Sequence, residues 1–323
     1  MNPTIYFLCS DSNAPIGGHK VMYRHVDILN KNGISACIVH QEKGMRHAWF
    51  ENRTRTTCVN EVRLFPEDIF VIPEAYGPKV AGLARGTKKV IFNQNAYYTF
   101  IGYSADTKNM TTPYTDTEVL AAIAVSEDTK QYLQFVFPNL KIFRVYNAID
   151  PKIFTYQDEK KKKICFMPRK NSEDAVQVIN ILKFRGILKD FDIVAIEGMN
   201  ERQVAYIMKE SLIFLSFGYS EGSPLPPAEA MACGCIVVGY HGMGGKEFFM
   251  PDITFPVSTG DIISFAQTLE KVINHYDNDP QFIKEKGRLA SLYINKYYST
   301  VREENSVMET WRSILYLQNE KKK

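Results

Sequence analysis

Apolar runs of strand length alternate with helical patterns along almost the whole chain. In the first half, residues 5–9, 35–39, 69–72, 89–93, 121–125 and 142–145 are short and largely apolar, the pattern of strands buried on both faces. Helical periods fall at 18–32 and 128–137, with a shorter one near 78–85. Strands that alternate with helices in this way predict βαβ units and parallel sheets, an α/β fold. The second half restarts with strands at 163–167, 191–196, 212–217, 235–239 and 253–257, and with helices at 172–184 and around 200–211. Beyond 257 the pattern is mainly helical, and 302–318 forms a long amphipathic period carrying Trp311.

A break separates the halves. In residues 147–154 the Asp150-Pro151 pair disfavours a helix, and the lysine-rich stretch to Lys163 has no apolar period. The expected division is therefore 1–148, 149–299 and a closing helix at 300–323.

The densest chemistry lies between two of the second-half strands, in Gly218-Tyr-Ser-Glu-Gly-Ser-Pro-Leu-Pro-Pro-Ala-Glu-Ala-Met-Ala-Cys-Gly234. Pro226 and Pro227 suit the first turn of a helix, 228–232 is rich in helix formers, and Gly234 ends it. The start of such a helix is expected to present unpaired N–H groups and a partial positive charge, favouring a diphosphate off the carboxyl ends of the strands. Glu229 is not there to meet phosphate, because like charges repel. A carboxylate accepts two hydrogen bonds, so its natural partner is a diol such as a ribose. Glu221, just after the strand, suits the hydroxyls of a second sugar. Arg169 and Lys170 follow the strand at 163–167, at the same end of the second sheet, where two cations can neutralise a departing diphosphate.

Glu221 and Glu229, flanked by apolar strands, Gly222, the prolines and the Ala-Met-Ala-Cys-Gly-Cys-Ile-Val-Val run, resemble the E-x7-E signature of retaining GT-B glycosyltransferases, specifically glycosyltransferase family 4. The resemblance implies two Rossmann-like domains with parallel sheets facing a central cleft, the first domain serving the acceptor and the second the nucleotide sugar. It also implies that the last helix packs back on the N-terminal domain. By the same resemblance Glu221 contacts the transferred sugar, Glu229 the nucleotide ribose, and Arg169 and Lys170 the pyrophosphate. Asn147-Ala-Ile-Asp150 resembles the Asn-Gly-Ile-Asp linker of that family, with Ala148 for glycine. Where the family has Gly-Phe-Gly-Leu this chain has Gly222-Ser223-Pro224-Leu225, and Pro224 donates no N–H. Contacts to the donor sugar then fall to Gly222, Ser223 or Leu225.

Further candidates lie in the first half. Gly17 and Gly18 follow the first strand and open the first helix, where a ligand can approach the backbone. His19 beside them is a candidate contact to phosphate or acceptor. Asn93 and Asn95 end the fourth strand, with Tyr97 after them, in a cleft position without a strong base. The segment 96–117, rich in tyrosine, is either an acceptor site or packing for its own domain. In the second half, Gly242-Met-Gly-Gly-Lys-Glu247 resembles the glycine turn that closes the nucleotide side in the family, whereas Asp190-Phe-Asp192 is turn chemistry rather than a metal motif.

Composition bounds the picture without changing it. At 323 residues the chain holds two cores, and with 45% hydrophobic and 23% charged residues it is of ordinary globular type. A net charge of +3 with no contiguous basic stripe does not suggest nucleic acid, and Lys321-Lys322-Lys323 is expected to be a frayed end. The N-terminus lacks the features of a signal peptide and no run reaches the length of a spanning helix, so a cytoplasmic protein is expected, with peripheral membrane association left open. Six cysteines without paired spacing are expected to be reduced core thiols; no metal and no cofactor are expected, the nucleotide sugar being a substrate. The function expected is sugar transfer from a nucleoside-diphosphate donor, UDP or GDP type undetermined, to a glycan or other hydroxyl acceptor, retaining and metal-independent. The alternatives are a non-catalytic nucleotide-sugar-binding partner and a nucleotide-sugar epimerase. Glycoside hydrolysis is disfavoured, since Glu229 is assigned to the ribose.

Overall fold

The computed structural model describes residues 3–12, 14–106, 108 and 110–320, so Lys321-Lys322-Lys323 lies outside the described residues. The chain divides into two compact units, Met1–Asn147 with Val301–Lys323, and Ala148–Thr300.

The first unit is built on a seven-stranded sheet of β1 (Ile5–Leu8), β2 (Ala36–His40), β3 (Thr56–Cys58), β4 (Ile69–Pro73), β5 (Lys88–Asn93), β6 (Val119–Ala124) and β7 (Ile142–Arg144). Its spatial order is β3-β2-β1-β4-β5-β6-β7, and every neighbouring pair is parallel. β2, β4 and β6 are buried along their whole length, which is why they read as unbroken apolar runs. α1 (Gly17–Lys31) and α2 (Glu127–Val136) are its α-helices before the linker, and α2 starts where the Ser126 side chain accepts from the Thr129 amide.

In this unit β3, a three-residue strand with two threonines, was not anticipated. It exists because it extends the sheet beside β2, pairing Ile38 with Thr56. The short helix expected near 78–85 is instead a 3-10 stretch over Glu74–Gly82, interrupted at Gly77, whose φ is 54°. Pro78 removes a backbone donor there, and a side chain at Gly77 would meet the Ile101 carbonyl at 2.3 Å, so only glycine fits.

The second unit has a five-stranded sheet of β8 (Lys161–Phe166), β9 (Asp192–Ala195), β10 (Ser211–Ser216), β11 (Ile236–Gly239) and β12 (Phe255–Pro256), ordered β12-β11-β10-β8-β9 and again parallel throughout. α3 (Ser172–Phe184), α4 (Glu201–Glu210), α5 (Leu225–Ala232), α6 (Ile262–Asn278) and α7 (Pro280–Tyr297) complete it. α4 begins with a reciprocal cap, Asn200 accepting from the Gln203 amide while the Gln203 side chain accepts from the Asn200 amide. The core gathers Ile164, Ile213, Leu215 and Val238 from one face of the sheet against Val178 and Leu182 of α3 and Phe265 and Leu269 of α6.

α8 (Thr300–Glu320) returns the chain to the first unit. Val307, Met308, Trp311 and Ile314 are buried at helical spacing, and the Trp311 indole N–H donates to His25 Nε2 at 2.8 Å. Burial pushes His25 down to about 3, so the imidazole stays neutral and keeps the lone pair that the indole needs. Arg24 of α1 pairs with Glu303 of α8.

Glu74, directly after β4, is a buried carboxyl that accepts from the Gln94 amide at 2.9 Å. Burial raises it to about 7 from 4.5, against the opposing pull of the backbone N–H groups of Gln94, Glu74 and Asn95. Between those two values the folded chain holds a proton that the unfolded chain has released, so stability falls as pH rises through that window and levels off above it. Urea unfolding of Glu74→Gln at pH 5 and pH 8 should show that difference reduced by about 2–3 kcal/mol relative to the parent chain. An unchanged difference would assign the proton to another group.

Candidate functional site

Parallel pairing decides what stands next to what in the second unit. β8 lies beside β10 with Phe166 opposite Leu215, so the segments leaving both strands emerge at one edge of the sheet. Arg169 and Lys170 lie in the turn from β8 to α3, and Asn171, with φ 50°, caps that helix. The Asn171 side-chain amide donates to the Phe217 carbonyl at 2.7 Å, which ties this turn to the end of β10. Lys170 Nζ then reaches the Ser220 carbonyl at 2.8 Å and Glu221 Oε1 at 2.9 Å. Both side chains of that pair are roughly four-fifths covered. Arg169 is exposed and makes no ion pair or hydrogen bond among the described residues. The structure thus brings Glu221, Lys170 and Arg169 to one edge, with Glu221 and Lys170 neutralising each other.

The turn after Glu221 is held from behind by glycines. Glu221 N–H donates to the Gly242 carbonyl at 2.7 Å, and Gly244 N–H to the Glu221 carbonyl at 3.0 Å. A side chain at Gly244 would lie 1.9 Å from the Gly222 carbonyl oxygen, so the two backbones touch only because Gly244 has none. Glu247, the acid that closes this stretch, accepts from the Tyr298 hydroxyl at 3.0 Å while its carbonyl accepts from the Tyr293 hydroxyl. The motif therefore supports the Glu221 turn and anchors α7.

α5 starts at Leu225 with Pro224 as its capping residue. The expected set of unpaired N–H groups is smaller than the reading of a helix start implies. Pro224, Pro226 and Pro227 have no N–H, so of the capping residue and the first three helical positions only Leu225 carries a donor. The dipole remains, and Gly222 and Ser223 supply amides in the turn before it. Glu229 lies in the second turn of α5 and is 6% exposed, a carboxylate set into a helix whose other residues are apolar.

The remaining candidates, Gly17, Gly18, His19, Asn93, Asn95 and Tyr97, belong to the first unit. Gly18, in the first turn of α1, packs so closely on Gln94 that a side chain there would stand 2.8 Å from Gln94 Oε1. His19 is buried with its ring stacked on His47 at 4.4 Å, and burial first, then His47 and His40, push it down to about 4. A neutral imidazole does not supply the positive charge that a phosphate contact wants. Asn93 turns inward, its amide donating to Tyr114 Oη at 2.8 Å and Thr99 Oγ1 at 3.0 Å. Asn95 accepts from the Tyr97 amide and caps the 3-10 turn Ala96–Tyr98, while the Tyr97 hydroxyl donates to Asp128 at 3.1 Å. Tyr114 stacks on Phe137 at 4.5 Å. Of the two readings of the tyrosine-rich segment, these contacts are packing within its own unit. Glu74 is the buried acid at these strand ends that the sequence reading passed over; its signal was a lone carboxylate directly after an unbroken apolar strand.

Comparison with known proteins bears on this arrangement. Residues 173–289 match the family Glycosyl transferases group 1. The chain is 26% identical over 293 residues to the alpha-1,6-glucosyltransferase of Actinobacillus pleuropneumoniae serotype 7 (strain AP76), an alignment covering 85% of this chain and 84% of that one. Among solved structures it is similar to sucrose-phosphate synthase from Thermosynechococcus elongatus, with a TM-score of 0.69 at 11% identity over 97% of this chain and 99% of that one. It is also similar to Anabaena Alr3699/HepE in complex with UDP-glucose, with a TM-score of 0.67 at 12% identity over 96% and 99% of the two chains. No helix among the described residues is long and apolar enough to cross a membrane. The fold is GT-B, and the matched segment together with the glucosyltransferase relative supports a glycosyltransferase.

Proposed function

We propose that the protein moves a glucosyl group from a nucleoside-diphosphate sugar to a hydroxyl of a glycan or other acceptor, with retention at the anomeric carbon. The observation that carries this reading is the Lys170–Glu221 pair at 2.9 Å beside the uncommitted Arg169, at the edge where β8 and β10 end. Glu229 takes the ribose diol. On donor binding Lys170 exchanges its carboxylate for the diphosphate, and Glu221 is released to accept from hydroxyls of the sugar. The glucosyl identity follows the alpha-1,6-glucosyltransferase relative, and the donor class follows the UDP-glucose complex of HepE.

In the transfer the acceptor oxygen forms a bond to the anomeric carbon as the carbon–oxygen bond to the diphosphate breaks. The electron pair leaves on the diphosphate, and the acceptor proton goes to a phosphate oxygen. Arg169 and Lys170 meet the charge that builds there, work that a divalent ion does in other transferases. An alpha-linked product from an alpha-linked donor is what the relative's name and UDP-glucose together imply. The first unit is assigned the acceptor.

Two measurements test this. With UDP-, ADP- and GDP-glucose offered with glucose-bearing acceptors, Glu229→Ala and Arg169→Ala should each lower transfer about 10²–10³-fold while circular dichroism and melting stay those of the parent. Full activity in both variants would reject the assignment. Proton NMR of the first product formed should show the small anomeric coupling of an alpha linkage; a beta product would exclude retention.

A further inference from the structure

The ends of β1 and β2 gather side chains that sugar transfer does not use. Cys9 follows β1, His40 is the last residue of β2, and His47 lies in the loop beyond it; one ligand atom from each lies within 4.8 Å of the other two. All three are buried, at 0%, 0% and 2% exposure. Cys9 Sγ stands 3.6 Å from His47 Nε2. In a tetrahedral zinc site, with Zn–S about 2.3 Å and Zn–N about 2.0–2.1 Å, two such ligand atoms stand about 3.6 Å apart. The pair already has the spacing of two ligands on one ion.

Around them is the supporting structure that a metal site needs. His40 Nδ1 is bonded to Asp11 Oδ1 at 2.9 Å, and Asp11 accepts in turn from the amides of Gln41 and Glu42 at 3.1 and 2.9 Å. A carboxylate on the far nitrogen fixes the ring of a metal-binding histidine and strengthens it as a ligand. His40 Nε2 faces the Tyr23 hydroxyl at 2.7 Å, a bond that gives way to the ion while the hydroxyl still accepts from the His47 amide. His47 Nδ1 and His19 Nδ1, on stacked rings, are buried without a hydrogen-bond partner among the described residues. Neither Nδ1 is a ligand atom of this cluster; His47 reaches Cys9 through Nε2, whose contact with the Ser10 carbonyl at 3.1 Å gives way to the ion.

We infer that Cys9, His40 and His47 form a site for one zinc ion, with Asp11 as the positioning residue for His40. One thiolate and two imidazoles are a borderline-soft set suited to zinc, and three protein ligands leave a fourth position for water or a small ligand. Uptake ionises the Cys9 thiol, which burial otherwise pushes up to about 12, and releases one proton per ion to solvent. The ion ties the loop after β2 to the ends of β1 and β2, beside the first turn of α1. It replaces the expected core thiol at Cys9 with a ligand.

The test uses the full chain loaded with zinc, desalted and analysed for metal by mass spectrometry, alongside cobalt titration. We expect about one zinc ion per chain and a thiolate-to-cobalt charge-transfer band in the near ultraviolet. Zinc and band should both be lost in Cys9→Ser and in His47→Gln, the latter serving should the former not fold, and Asp11→Asn should weaken affinity about 10–100-fold. A natively folded parent that retains no zinc, zinc retained undiminished by both ligand variants, or cobalt bound without the thiolate band would each overturn the site.

Discussion

The parallel register of β8 against β10 is the constraint from which the site follows. Because Phe166 pairs with Leu215, the residues three and four beyond one strand and five beyond the other leave the sheet at the same edge, and the Lys170–Glu221 ion pair closes between them. A pair this largely covered is weak evidence for stability, because the cost of desolvating both charges offsets their attraction. Its importance is positional. It holds an acid and a base together, so that neither is buried as an uncompensated charge, and the function proposed has each released when a sugar and a diphosphate take its partner's place.

The backbone around this pair is over-determined, which is what a binding turn requires. Asn171 holds the β8 turn to Phe217 from one side, and Gly242 and Gly244 hold the Glu221 turn from the other through two backbone hydrogen bonds. The approach of Gly244 to the Gly222 carbonyl leaves no room for a side chain, so the glycines of that stretch are explained by packing. The same economy appears in the first unit, where Gly77 and Gly18 admit the backbone of Ile101 and the side chain of Gln94.

How much of this could be read from the chain depends on whether the signal was local. Residues 212–217 and 69–72 announce buried strands because parallel strands covered on both faces have no polar alternation, and α3 spans the helix expected at 172–184. Glu221 and Glu229 were singled out by the apolar strands, Gly222 and the prolines around them, and not by their spacing alone. β3 was not, because three residues with two threonines carry no period and are strand only by virtue of β2. The inward turn of Asn93 toward Tyr114 and Thr99 was hidden for the same reason: its partners lie 6 and 21 residues on. Cys9, His40 and His47 have no motif spacing, and only the sheet order that sets β1 beside β2 brings them together. The prolines of α5 are a different case. They marked the helix start correctly, and the same residues removed the donors that the helix start was expected to offer.

The decisive measurement is a crystal structure of the full chain with UDP-glucose bound. We expect the ribose hydroxyls on the Glu229 carboxylate, the diphosphate on Arg169 and Lys170 with the Lys170–Glu221 pair opened, and a glucose hydroxyl on Glu221. A nucleotide sugar bound with Glu229 untouched and the Lys170–Glu221 pair intact would contradict it.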